Sequence, residues 1–123
     1  DLIIPSAKLK DPSSKNIVKI VANKKNKILY MSRAPLPFEF KEKTLFRKHL
    51  SIISFKPSAL KKYSNLKKSL LEKIEDIELL RAIENDMLLG TTFVNSASIS
   101  VDIKADYLAA IELMKKDKIR KKY

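Results

Sequence analysis

The chain has 123 residues, 45% of them apolar, and a formal charge of +12 from 26 basic and 14 acidic side chains, which makes one domain's worth or less with enough hydrophobic material for a core. The absence of cysteine excludes disulfides and thiolate metal sites. No apolar run approaches the ~20 residues of a membrane span, and the single glycine, Gly90, excludes a Gly-rich phosphate loop within these residues.

In chain order, Leu2–Ala7 reads as the end of a strand and Asp11–Ser14 as a turn. Ile17, Val18, Ile20 and Val21 predict a β-branched strand, closed by a polar hairpin loop over Asn23–Lys27. Ile28–Met31 is the next strand, and Pro35 and Pro37 force an extended exit from it. Residues 38–47 are charged and mixed, a loop or a short helix. Leu50–Phe55 is a short apolar run that predicts a buried strand, and Pro57 suits the first turn of a helix. Ser69 can cap a longer helix, with Glu72 three residues on completing a capping box. In that helix Leu70, Leu71, Ile74 and Ile77 fall on one face. Leu88–Val94 predicts a strand. Val101 and Asp102 lead into a last amphipathic helix with Leu108, Ile111, Leu113 and Met114 on its apolar side. Strands alternating with helices of this length indicate an α/β layered fold.

The charge is uneven: residues 1–70 and 113–123 are basic, and 71–112 are acidic. A basic chain can bind polyanions. Only four of the 26 basic residues are arginines, however, and arginine's fork is what base and phosphate recognition favours. A solvated lysine surface is the plainer reading, with a small nucleic-acid-binding module as the alternative.

Five residues could carry chemistry. Asp102 lies between the apolar stretch ending at Val101 and a helix, where open α/β sheets place ligand contacts; the plain alternative is a helix N-cap. Glu78 and Arg81 fall inside the apolar stripe of the Ser69 helix. There they are either an i,i+3 ion pair at the core's edge or the mouth of a ligand pocket. Arg33 ends a strand just before Ala34-Pro35, and alone reads as a surface arginine. His49, the single histidine, reads equally as a core or surface residue. There is no Ser/His/Asp set, no HExxH and no paired His/Cys spacing for zinc.

Three segments taken together carry a resemblance. Ile28-Leu-Tyr-Met-Ser-Arg-Ala-Pro-Leu-Pro37, Leu71-Glu-Lys-Ile-Glu-Asp-Ile-Glu-Leu-Leu-Arg81 and Ser98-Ile-Ser-Val-Asp-Ile-Lys-Ala-Asp106 resemble, in order and spacing, the second half of the 3-deoxy-manno-octulosonate cytidylyltransferases, the CMP-Kdo synthetases. The resemblance runs from about Asn16 to Lys116, with a further match at Asn16–Lys19. It implies the C-terminal half of a Rossmann-like nucleotide-diphospho-sugar transferase fold, a mixed sheet with flanking helices. Residues 1–123 would then be the sugar-binding and dimerisation half, with the nucleotide-binding half outside the chain and the chain alone inactive. The implied reaction joins CTP and a 2-keto sugar acid to give a CMP-sugar and pyrophosphate, in a cytoplasmic homodimer that uses Mg2+ and serves lipopolysaccharide or surface polysaccharide synthesis. The resemblance assigns Asp102 to the magnesium, Arg33 to the sugar acid's carboxylate, and Glu78 and His49 to its hydroxyls, with Asp106 structural. Where the family has a glycine, a tyrosine and, in many members, a glutamine, this chain has Ser51, Ile53 and Leu79, which points to a different sugar acid of the class. A non-catalytic dimerising remnant is the third reading.

Overall fold

The computed structural model describes residues 1–95, 101 and 103–117. Six strands form one mixed sheet: β1 (Leu2–Lys8), β2 (Lys19–Ala22), β3 (Ile28–Ser32), β4 (Arg47–His49), β5 (Ser54–Phe55) and β6 (Leu89–Phe93). The order is β3-β2-β4-β1-β5, and β6 lies parallel to β1 while the remaining pairs are antiparallel. The helices are α1 (Pro57–Ser64), α2 (Leu70–Glu75), α3 (Leu80–Glu84) and α4 (Lys104–Lys115). This is the mixed α/β arrangement that the alternating pattern predicts.

The β2–β3 hairpin turns through Asn26, which takes the left-handed conformation (φ 57°) that asparagine tolerates. Its tip reaches across to β6, where Lys27 bridges Gly90 and the Thr91 N–H donates to the Asn26 carbonyl at 2.9 Å. The sheet thereby curls back on itself. Its apolar residues Leu2, Ile4, Ile20, Ile28, Met31 and Leu89 form one core with Ala59, Ile77, Leu79, Leu80, Ala82 and Met87 from the helical side.

Two expectations fail, each for a local reason. Of the strand expected over Leu50–Phe55 only residues 54–55 pair with β1; residues 50–53 leave the ladder, and the pairing falls instead on residues 47–49, just before the expected strand. The cause is Pro5. Its carbonyl accepts from the Leu50 N–H at 3.1 Å. A residue's N–H and C=O point to the same edge of a strand, and proline has no N–H to return the bond. Ile52 and Ile53 are consequently exposed.

The long helix expected from Ser69 breaks at Asp76, which adopts the left-handed conformation (φ 53°), leaving α2 and α3. The reciprocal half of the capping box does form, with the Ser69 N–H donating to Glu72 at 3.2 Å. The break re-aims the apolar face. Leu70 and Ile74 are 68% and 67% exposed, whereas Ile77, Leu79 and Leu80 are buried. The last helix, α4, starts at Lys104 as the pattern predicts, yet no residue in it is buried.

Candidate functional site

The sheet brings two of the expected residues to one end. Lys19 on β2 stands opposite Ser32 on one side and Lys48 on the other. Arg33 and His49 each lie one residue past that row, at the ends of β3 and β4, which run in the same direction with β2 between them. Two strand spacings, about 10 Å, separate their backbones. His49 is also in register with Ser6 of β1, and Ser6 with Phe93 of β6. The chain therefore leaves β6, on its way to residues 96–106, at the level of His49.

Arg33 is held from three directions. Its Nε donates to the Glu75 carbonyl at 2.8 Å, one terminal nitrogen to the Asp76 carbonyl at 3.0 Å and the other to the Lys15 carbonyl at 3.0 Å. The guanidinium thus takes the last carbonyls of α2, which helix geometry leaves without partners, and places a cation at the negative end of the helix. The Glu75 side chain returns the contact, accepting from the Arg33 N–H at 2.9 Å and the Ser32 hydroxyl at 2.7 Å. Ser32 Oγ in turn accepts from the Ala34 N–H at 3.0 Å. Of the five N–H groups of a guanidinium three are spent, and each terminal nitrogen keeps one. The side chain is 34% exposed, with the Asp76 carboxylate 3.7 Å away. The expected surface arginine is therefore a bonded one that still faces solvent.

Arg81 does not pair with Glu78, as the helical wheel suggests, because the break at Asp76 turns α3 relative to α2. It pairs with Glu72 in a two-pronged contact, Nε to Oε2 at 2.8 Å and a terminal nitrogen to Oε1 at 2.6 Å. Its other terminal nitrogen donates to the Leu66 carbonyl at 3.1 Å, and its guanidinium lies 5.3 Å from the centre of the Tyr63 ring. The Arg81 hydrogen bonds hold the Glu72 carboxyl below the usual carboxylate range, against the opposing effect of burial.

Glu78 sits in the turn between α2 and α3 with an exposed side chain, and its carbonyl accepts from the Tyr63 hydroxyl at 3.0 Å. Leu79 is buried in the core cluster and offers nothing to a ligand. His49 is half-buried. Its Nε2 is enclosed without a hydrogen-bond partner among the described residues, and burial pushes its pKa below the ordinary value. A neutral imidazole can present that nitrogen either as donor or as acceptor. Beside it, Thr91 donates to Ser6 at 3.0 Å and Ser6 to the Thr92 carbonyl at 3.3 Å.

Asp102 lies outside the described residues. Among those described, no group of three or more His, Cys, Asp or Glu side chains could hold a metal ion, and no helix is long and apolar enough to cross a membrane. The structure therefore brings Arg33 and His49 level with one another at the ends of β3 and β4, and ties Arg33 to the α2–α3 break at Glu75 and Asp76, two residues before Glu78. Lys19 and Glu75, which hold Arg33, are not singled out by the sequence pattern, and it marks Glu72 only as a capping residue and Arg81 only as a partner for Glu78.

Comparison with known proteins adds to this geometry. A profile of the cytidylyltransferase family matches residues 5–91. The 3-deoxy-manno-octulosonate cytidylyltransferase of Rickettsia prowazekii (strain Madrid E) is 39% identical over 119 residues, 94% of this chain and 47% of that protein. The protein of the same description from Leptospira biflexa is 34% identical over 113 residues, 92% of this chain and 46% of that protein. A solved CMP:2-keto-3-deoxy-manno-octonic acid synthetase complexed with CTP superposes with a TM-score of 0.85 at 27% identity, over 94% of this chain and 49% of that one. The chain spans about half the length of the curated relatives it matches. The expectation of a C-terminal half is narrowed accordingly: what these matches establish is its extent.

Proposed function

This chain belongs to the cytidylyltransferase family, and on that premise we propose that it forms the sugar-acid pocket of an enzyme that joins CTP to a 2-keto sugar acid, Kdo or a related acid. The sugar's anomeric hydroxyl attacks the α-phosphorus of CTP. A P–O bond forms as the bond to pyrophosphate breaks, and the hydroxyl proton is released. Catalysis of this kind rests on placing the reactants and offsetting charge.

Arg33 is the proposed partner of the sugar's carboxylate, through the N–H that remains on each terminal nitrogen; two parallel donors suit a carboxylate. His49 and Glu78 are the proposed hydroxyl contacts. The Nε2 of His49, enclosed and without a hydrogen-bond partner among the described residues, supports its share, because such an atom is costly unless a partner arrives; contact with a sugar requires its cover to open. With Leu79 in the core, the pocket has one polar group fewer than the family pattern implies, which favours a different acid of the class. Asp102 is the proposed magnesium contact, and the ion's chemistry there is to offset charge on the triphosphate. Magnesium is commonly held by one or two carboxylates together with phosphates and water. Cytoplasmic residence, a homodimer and a role in lipopolysaccharide synthesis complete the reading; the exposed Phe38 and Phe40 (78% and 82%) support self-association.

The observation that carries this reading is the match over residues 5–91, joined to the placement of Arg33 and His49 level with one another at the ends of β3 and β4. The test is pyrophosphate release by the full protein containing this chain, supplied with CTP, magnesium and a panel of 2-keto-3-deoxy sugar acids. Release that requires both CTP and one of the acids is expected, and Arg33→Met should raise KM for the acid by at least ~10-fold. No release with any acid of the panel would overturn the reading.

A further inference from the structure

Lys19, the first residue of β2, is fully buried, and among the described residues no carboxylate pairs with it. An isolated buried ammonium is costly, so its surroundings have to replace its water. They do so with backbone alone. The Nζ donates to the Ser14 carbonyl at 2.8 Å, the Ile17 carbonyl at 2.8 Å and the Arg33 carbonyl. Three donors meet three acceptors, which satisfies the ammonium in full.

Those acceptors are not scattered. Ser14 and Ile17 bracket Lys15, whose carbonyl holds the Arg33 guanidinium, and the third acceptor is Arg33's own carbonyl. Lys19 therefore fixes Arg33 at both ends, at its backbone directly and at its side chain through the 14–17 loop. Glu75 grips the same residue from the helical side through its N–H and Nε. A lysine kept only for stability would gain more from an apolar replacement, whereas this one gathers three carbonyls around a single arginine.

We propose that Lys19 is a positioning residue for the sugar acid's carboxylate, acting through Arg33: the Lys19–carbonyl knot sets the direction of the two N–H groups that Arg33 keeps for a ligand. This rests on the reading that Arg33 meets the carboxylate. The charge adds to the role, since a cation beneath Arg33 draws in an anion whichever way Arg33 points. Burial, and then the Arg33 charge, lower the Lys19 pKa, with Glu75 and Asp11 acting the other way.

The test has two arms. In the first, hydrogen exchange of the Arg33 Nε–H is read by NMR in the wild-type protein and in Lys19→Met, which keeps the stem and removes the cation. The wild-type proton should exchange at least ~10-fold more slowly than that of free arginine, and the variant should lose most of that protection. A wild-type proton that exchanges as fast as free arginine, or a folded variant that keeps full protection, overturns the proposal. A variant that does not fold leaves the wild-type measurement to decide. In the second arm, steady-state kinetics of Lys19→Met should show KM for the sugar acid raised ~10-fold, with KM for CTP within about twofold. A merely structural lysine would move both constants together, which would also overturn it. If the wild-type protein uses no sugar acid, the functional reading fails by itself, and the exchange arm still decides whether Lys19 holds Arg33.

Discussion

The α2–α3 block and α4 are both short helical regions, yet they are held in different ways. The first is held by two arginines that reach across the chain: Arg33 ties it to the sheet through residues 75 and 76, and Arg81 ties α3 to residues 66 and 72. The second has a well-formed start, with the Ile103 N–H donating to Asp106 at 3.1 Å, and Lys115 paired with Glu112 near its end, but it buries no residue. One region draws its shape from long-range polar contacts, the other from its own local sequence. The site belongs to the first, and that fits what a ligand pocket needs: side chains whose directions are fixed before the ligand arrives.

The largest effect that can break this contrast is at Arg81. Arg81→Met leaves the buried Glu72 carboxylate without its partner and should cost on the order of 3 kcal/mol in denaturant unfolding, as expected for stripping one member from an enclosed pair. A loss below ~1 kcal/mol would mean that α2 and α3 are held by packing alone. The same pair sets an acid response. The Glu72 pKa is lowered first by the Arg81 hydrogen bonds, so its contribution is present above the unfolded carboxylate value and is lost as pH falls through the folded one. The stability of the wild type should fall over that acid window, and Glu72→Gln should flatten the fall.

Glu75 comes next. Glu75→Gln keeps the shape but weakens the bonds to the Ser32 hydroxyl and the Arg33 N–H, and should cost about 1–2 kcal/mol. Because Arg33 is held in part by the Glu75 backbone, the variant should stay folded in a thermal melt while the affinity for sugar acid drops. A melt that falls with no change in sugar-acid affinity would separate the block from the site.

His49 sharpens the comparison through pH. Burial favours its neutral form in the folded state, so the unfolded chain binds the proton more readily. Its contribution is complete above the ordinary value of 6.5 and is lost as pH falls from there through the folded pKa. His49→Gln should remove this portion of the pH dependence, measured as the difference between unfolding curves collected on either side of that value. An unchanged dependence would place the titration elsewhere.

The smallest effect is expected in α4. Leu108→Ala and Met114→Ala should each change stability by less than ~0.5 kcal/mol, because both side chains are about half exposed. A loss above ~2 kcal/mol in the full protein would show that a partner surface covers this helix there.

Much of the architecture was legible in the residues. β1, β2, β3 and β6 fall where β-branched and apolar runs place them, because a strand's pattern is local. The Pro57 start of α1 and the Asn23–Lys27 turn follow from single residues whose backbone preferences hold in any context. The roles of Arg33, His49 and Glu78 rest on the family resemblance alone. Nothing in the spacing of Arg33 and His49 says that the ends of β3 and β4 will lie level across β2. The Leu50–Phe55 strand was misread because the deciding residue, Pro5, lies on the neighbouring strand.

What the sequence by itself determined is therefore most of the elements and the family, both of which depend on order along the chain. The tertiary structure decided the partners. It broke the Ser69 helix at Asp76, turned Leu79 into the core, and gave Arg81 to Glu72 rather than Glu78. It also closed three carbonyls around Lys19. The physical reason is one of range. Hydrophobic periodicity and backbone preference act over a few residues, whereas a buried cation takes whatever acceptors the folded chain brings within about 3 Å, and those come from strands and loops distant in sequence.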